Sequence, residues 1–246
     1  MSLIREYISS GEELFKKRSY VPLLLLPLVI IVMVFSDDYP QNFAQSFGWK
    51  IFGLFVGLCG MAYRAWVIGQ VPAGTSGRNT HGQVAEVLNT TGPYSVVRHP
   101  LYVGNFIIIL GIVLWAGVWW LTLLYCLLFW VYYERIMMAE ENFIHGKFGR
   151  DFEEWSARVP AFMPSFKNYV PSKLEFSFKN VLRREYSGLI NLVLSFFILE
   201  RAHDLIFKKE FPLFDFWMNL LLATLIFTLF LRFLKKKTEV LYVEGR

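Results

Sequence analysis

The chain is a succession of long apolar runs separated by short polar segments. A helix crosses the ~30 Å of bilayer hydrocarbon with ~20 apolar residues, at ~1.5 Å rise each. The first run, Val21–Ser36, is short alone but extends back to Arg18, and the second is Phe47–Val71. Gly53 and Gly57 in that second run form a small-xxx-small pattern suited to close helix packing. Residues 101 to 133 are 33 positions without a formal charge, too long for one crossing. Ala116-Gly117, with Trp115, Trp119 and Trp120 around it, predicts a turn at an interface, hence two helices at 101–115 and 118–145. The second is expected to continue past the membrane. Tyr186–Ile206 and Leu213–Leu234 follow, split by Lys208-Lys209-Glu210-Phe211-Pro212. The expected fold is all-α: a polytopic membrane bundle of five to six spans with cytosolic catalytic loops.

Composition agrees. Of 246 residues, 55% are hydrophobic, 18% aromatic and only 18% charged, against ~25% charged in an ordinary soluble domain. That excludes disorder, a disulfide scaffold and a conventional soluble enzyme. Cys59 and Cys126 sit inside apolar runs as small hydrophobes, with no paired spacing and no metal-binding pattern. The basic N-terminal stretch Lys16-Lys17-Arg18 has no small-residue cleavage site after it, so the first run reads as an uncleaved anchor. With the N-terminus placed in the cytosol, twenty Lys and Arg fall inside and three (Lys50, Lys208, Lys209) outside. The positive-inside rule therefore predicts both termini in the cytosol. Arg64, seven residues before Val71, reads as a side chain snorkelling to the inner interface.

Polar residues concentrate in 72–100 and 134–170, both on the predicted cytosolic side. In the first, Gly92-Pro93 is a turn and Pro100 starts a helix, which puts His99 in a cap-like position. Free backbone N–H groups and the positive end of a helix dipole suit that spot to a carboxylate or phosphate. Arg98 adds a fixed charge, and Tyr102 faces back toward the loop. A His-Pro helix start taken alone is more often structural than functional.

The run Gly92-Pro93-Tyr94…Arg98-His99-Pro100-Leu101-Tyr102-Val103-Gly104 resembles the signature of the isoprenylcysteine carboxyl methyltransferase and phospholipid methyltransferase superfamily. Glu140-Glu141…Lys147-Phe148-Gly149…Phe152…Trp155…Val159-Pro160 looks like its second half, and the resemblance covers about residues 50–165. It implies a helical membrane enzyme using S-adenosylmethionine and releasing S-adenosylhomocysteine, with the cofactor in a cytosolic pocket and a lipid-like acceptor entering between helices. Carried onto this chain, Tyr94, Val97, Arg98, His99 and Tyr102 would bind the cofactor, with Glu140 and Glu141 from the opposite wall. Arg135 would hold the acceptor and share catalysis with that Glu pair. The family commonly shows Arg-x-x-x-Glu on this helix. Here Arg135 and Glu140 are five apart, which turns them roughly 140° from each other unless a local bulge intervenes.

The stretch 72–83, with Arg78, Asn79 and His81 among glycines and small hydroxyls, is the substrate clue. It is similar to a bacterial branch containing lipid A phosphate methyltransferases, and it favours a lipid phosphate or headgroup over a prenylated cysteine carboxylate. A bacterial inner membrane would then be the location. A transporter or a non-catalytic membrane scaffold are the competing classes; no basic stripe suggests nucleic acid, and no metal is expected. The expected organisation is a cytosolic segment (1–20), a methyltransferase core (21–171) and a C-terminal extension (172–246). In the extension Glu200, Arg201, His203 and Asp204 read as the wetted end of a helix.

Overall fold

A computed structural model describes residues 2–37, 39, 43, 45–72, 74, 83 and 85–246. Eight α-helices and no strands occur among them. They are α1 (Leu3–Lys17), α2 (Leu25–Phe35), α3 (Phe47–Ile68), α4 (Pro100–Leu114), α5 (Trp119–Phe148), α6 (Arg150–Ser156), α7 (Phe178–His203) and α8 (Phe216–Lys237). By length and composition α3, α5 and α8 are able to cross a membrane, while α2 and α4 are apolar but shorter. This is a multi-pass helical membrane protein. The fifth expected span, α7, begins eight residues earlier than its apolar run and carries charge near both ends.

Glycines set the centre of the bundle. A Cβ on Gly111 of α4 would lie 2.5 Å from both the Gly53 carbonyl oxygen and the Gly57 nitrogen of α3. A Cβ on Gly60 would lie 2.6 Å from the Ile108 nitrogen. The expected small-residue face is thus real, and α3 and α4 touch backbone to backbone along it. Leu192 and Phe196 of α7 pack over the same glycines. Side-chain donors tie the spans together: Trp49 Nε1 donates to the Leu114 carbonyl (2.7 Å) and Tyr125 Oη to the Phe106 carbonyl (2.8 Å).

The break between α4 and α5 falls at Ala116-Gly117 as expected, with Gly117 at φ 64°, a conformation glycine adopts without strain. Of the tryptophans there, Trp119 is exposed but Trp115 is fully buried, so only part of that cluster faces outward. At 30 residues α5 is about 45 Å long, longer than the hydrocarbon layer, and it delivers Glu140 and Glu141 beyond it. Two features depart from the sequence reading. The N-terminal segment is a helix, α1, lying so close to α5 that a Cβ on Gly11 would meet the Arg135 carbonyl oxygen. And Glu200, Arg201, His203 and Asp204 are buried rather than wetted, each 6% exposed or less.

Candidate functional site

The first polar segment is held by backbone pairing. Arg98 N and His99 N donate to the carbonyls of Pro160 and Ala161 (2.9 and 3.2 Å), and Ser165 N donates to Val96 (3.0 Å). Trp155 Nε1 donates to the Tyr94 carbonyl (3.0 Å), so α6 clamps the turn that precedes α4. Gly149, at φ 51°, makes the sharp corner between α5 and α6 that allows this. Both halves of the signature are therefore one unit. His99 is the residue before the proline-started α4, with Tyr102 N and Val103 N bonding its carbonyl.

Around that helix start the charges meet. His99 Nε2 is 2.9 Å from Glu141 Oε1 and its Nδ1 is 3.3 Å from Glu140 Oε2. Arg98 Nη1 donates to Glu141 Oε2 (3.1 Å), and Arg18, just past α1, lies 3.6 Å from Glu140 Oε1. Burial of His99 disfavours its charged form, but its hydrogen bonds to both carboxylates and their negative charge outweigh this and hold its pKa above the ordinary imidazole value. Burial, reinforced by Glu140, pushes the Tyr94 hydroxyl upward, so it stays protonated as a donor. From His99 an aromatic column runs into the bundle: Tyr102 stacks on it at 5.7 Å, Tyr133 follows at 4.7 Å and Phe129 at 4.1 Å.

This cluster forms one end of a cavity of about 660 Å³. Arg98, His99, Tyr94, Glu140 and Gln83 line the polar end, while Ile108, Ile109, Ile112, Leu26 and Leu192 line an apolar arm between helices. Arg98 Nε and Gln83 Nε2 are buried donors with no acceptor among the described residues. A ligand with an anionic end, a polar middle and an apolar continuation suits such walls.

The sequence-named residues divide clearly. Tyr94, Arg98, His99, Tyr102 and Glu140 line the cavity. Glu141 is not a lining residue; it braces Arg98 and His99 from outside. Val97 is fully buried and packs the loop rather than facing the cavity. Arg135 is not brought to Glu140. No bulge interrupts α5 there, and Arg135 bonds the Val131 carbonyl and lies over the Tyr7 ring at 4.9 Å. Arg78, Asn79 and His81 lie outside the described residues.

Residues the sequence reading did not assign to the site complete the wall: Arg18 after α1, Arg64 on α3, Asn105 on α4, and Arg184 and Glu185 on α7. Arg64 does not reach outward to an interface. Its guanidinium is gripped by Glu185, and a charge inside an apolar helix, whose cost demands a partner, was the available signal. At the other end of α7, Glu200, His203 and Asp204 lie close enough to share a metal ion. Lys50 on Glu200, and Arg201 and Lys208 on Asp204, already neutralise those carboxylates, leaving no surplus negative charge to draw a divalent ion.

Residues 49–151 match the phospholipid methyltransferase family model. The protein-S-isoprenylcysteine O-methyltransferase of Schizosaccharomyces pombe is 37% identical over 78 residues, 32% of this chain and 33% of that protein. The nickel-cobalt-cadmium resistance protein NccN of Alcaligenes xylosoxydans xylosoxydans is 36% identical over 83 residues, covering 34% of this chain and 38% of the relative. The cobalt-zinc-cadmium resistance protein CzcN of Cupriavidus metallidurans is 36% identical over 88 residues, 36% and 40% of the two chains. This chain thus spans between a third and two fifths of the length of the curated relatives it matches. No solved structure matches.

Proposed function

We propose, from the match of residues 49–151 to the phospholipid methyltransferase family model and the likeness to an isoprenylcysteine methyltransferase, that the protein is a membrane methyltransferase. Its cofactor is S-adenosylmethionine and its acceptor a lipid or lipid-linked molecule carrying a phosphate or other polar headgroup, methylated at the cytosolic face. The observation that carries this reading is the convergence of Arg98–His99 with Glu140–Glu141 at the polar end of a cavity whose other arm is apolar.

When bound, S-adenosylmethionine would supply a methyl group on a sulfonium; an anionic acceptor oxygen would bond that carbon as the C–S bond breaks, S-adenosylhomocysteine leaving, with no base needed. The chain's task is then positioning and exclusion of water. Arg98 and the start of α4 receive the carboxylate end of the cofactor, and the unpartnered Arg98 Nε becomes satisfied there. Glu140 offers a carboxylate to the ammonium or to ribose hydroxyls. Glu141 keeps His99 oriented and favours its charged form. The apolar arm takes the acceptor's hydrocarbon chain and closes the site to water.

Specific support for a prenylated cysteine carboxylate as acceptor is the activity for which the Schizosaccharomyces pombe relative is named. Transfer of a labelled methyl group from S-adenosylmethionine by the detergent-purified protein separates the two acceptors. Incorporation into a bacterial lipid extract, lost in Glu140→Ala, is the expected result. Incorporation into N-acetyl-S-farnesylcysteine alone would move the assignment to the carboxylate. Incorporation into neither, by folded protein, contradicts the proposal.

A further inference from the structure

An arginine in the apolar part of α3 is costly unless the fold provides for it, and this fold does so from two other helices, α4 and α7. Arg64 Nε donates to Glu185 Oε2 (2.8 Å) and Nη2 to Glu185 Oε1 (2.9 Å), while Nη1 donates to Asn105 Oδ1 (2.7 Å). Glu185 comes from α7, which lies outside the segment that matches the family model. The space for the arginine stem is also provided: a Cβ on Gly104 would sit 2.4 Å from Arg64 Cγ. The Glu185 side chain is 6% exposed and that of Arg64 16%, so the fork is held away from water.

A guanidinium has five N–H bonds, and three are committed to Glu185 and Asn105. One on Nη1 and one on Nη2 remain. Arg64, Asn105 and Glu185 all line the cavity, beside the apolar arm and short of the Arg98–His99 cluster. A bidentate carboxylate on one edge of a guanidinium fixes the direction of the other.

We propose that Arg64 is the group that holds the oxyanion of the acceptor, and that Glu185, with Asn105, is the positioning residue that aims it. The proposal rests on the methyltransferase reading for what happens to that anion, but not for its binding. The acceptor is thereby an apolar chain headed by a carboxylate or a phosphate, and α7 is part of the acceptor site rather than an accessory span.

Two matched pairs of probes separate the sources of the anion: N-acetyl-S-farnesylcysteine against its methyl ester, and dioleoyl phosphatidic acid against dioleoylglycerol. Equilibrium binding to the purified full chain is expected to favour the anion about tenfold or more in one pair, as a charge-assisted hydrogen bond would give. Glu185→Gln and Arg64→Met are each expected to abolish the preference while S-adenosylmethionine affinity stays within about twofold. The charge reversal Arg64→Glu with Glu185→Arg is expected to restore thermal stability without restoring the preference. An ion pair that serves only the fold would show the opposite: an anion preference unchanged in Glu185→Gln, or absent from the parent in both pairs, overturns the proposal. Should Glu185→Gln fail to fold, Asn105→Leu reads the same aiming from α4, and an unchanged preference there also overturns it. Absence of S-adenosylmethionine binding by the parent, with the anion preference intact, would remove the methyltransferase reading and leave this assignment standing.

Discussion

Helix α7 buries charge near both of its ends, and the two sites differ in what they leave over. Near its start Glu185 grips Arg64 at a cavity wall; roughly 22 Å further along, at ~1.5 Å per residue, Glu200 grips Lys50 (2.7 Å) in packed interior. Around Glu200 the charges are matched. Arg201 pairs with Asp204 and Asp215, Lys208 with Asp204, and His203 is enclosed by Tyr39, Trp115 and Phe207. Around Glu185 the pair stands on a wall that faces open volume, and Arg64 keeps N–H bonds beyond those given to Glu185 and Asn105. A buried cluster enclosed by packing gives the fold a fixed register, whereas a pair beside a cavity, with donors left over, has capacity for a ligand.

The largest effect expected from breaking this contrast is at the balanced end. Lys50→Ala leaves Glu200 buried without a partner and should destabilise the protein by about 3–5 kcal/mol. Thermal unfolding in detergent reads it, and Lys50→Met with Glu200→Leu together should recover most of the loss, because the pair serves packing alone. A double variant no more stable than Lys50→Ala would mean the cluster does something beyond packing.

A smaller effect is expected at the ligand end, through pH. The His99 pKa is raised in the folded chain, so its charge stabilises the fold fully below the unfolded value of about 6.5 and progressively less as pH rises through the folded value. Each unit of that shift corresponds to about 1.4 kcal/mol. The unfolding temperature of the parent should therefore fall more steeply above neutral pH than that of His99→Gln. Parallel slopes would contradict the charged, doubly bonded imidazole.

Arg135→Ala should have the smallest effect. It loses a contact with Tyr7 and a bond to the Val131 carbonyl, but does not line the cavity. S-adenosylmethionine affinity is expected to change by less than about twofold, under ~0.4 kcal/mol. A tenfold loss would return Arg135 to the site.

Legibility in the sequence followed the same division. Long apolar runs showed α3, α5 and the α4–α5 break directly, because a membrane leaves few ways to place such residues. Arg98–His99 and Glu140–Glu141 were found because their resemblance spans short, ordered motifs. Arg64 with Glu185 was not, since 121 residues separate the partners and nothing local distinguishes a gripped arginine from a snorkelling one. The Glu200–Asp204 cluster looked wet for a related reason: its neutralising Lys50 lies 150 positions away. α1 was passed over because its polar residues hide an amphipathic helix whose use, packing on α5 and bringing Arg18 to Glu140, appears only in the tertiary structure.

The central claim is that the polar end of the cavity is a cofactor site. Calorimetric binding of S-adenosylmethionine to the detergent-purified chain, with His99→Ala and Glu140→Ala in parallel, tests it most directly. The expected result is binding by the parent, weakened about tenfold or more by each substitution, with Lys50→Met/Glu200→Leu unaffected. Binding that is absent in the folded parent, or indifferent to both substitutions, would contradict the assignment of that end to the cofactor.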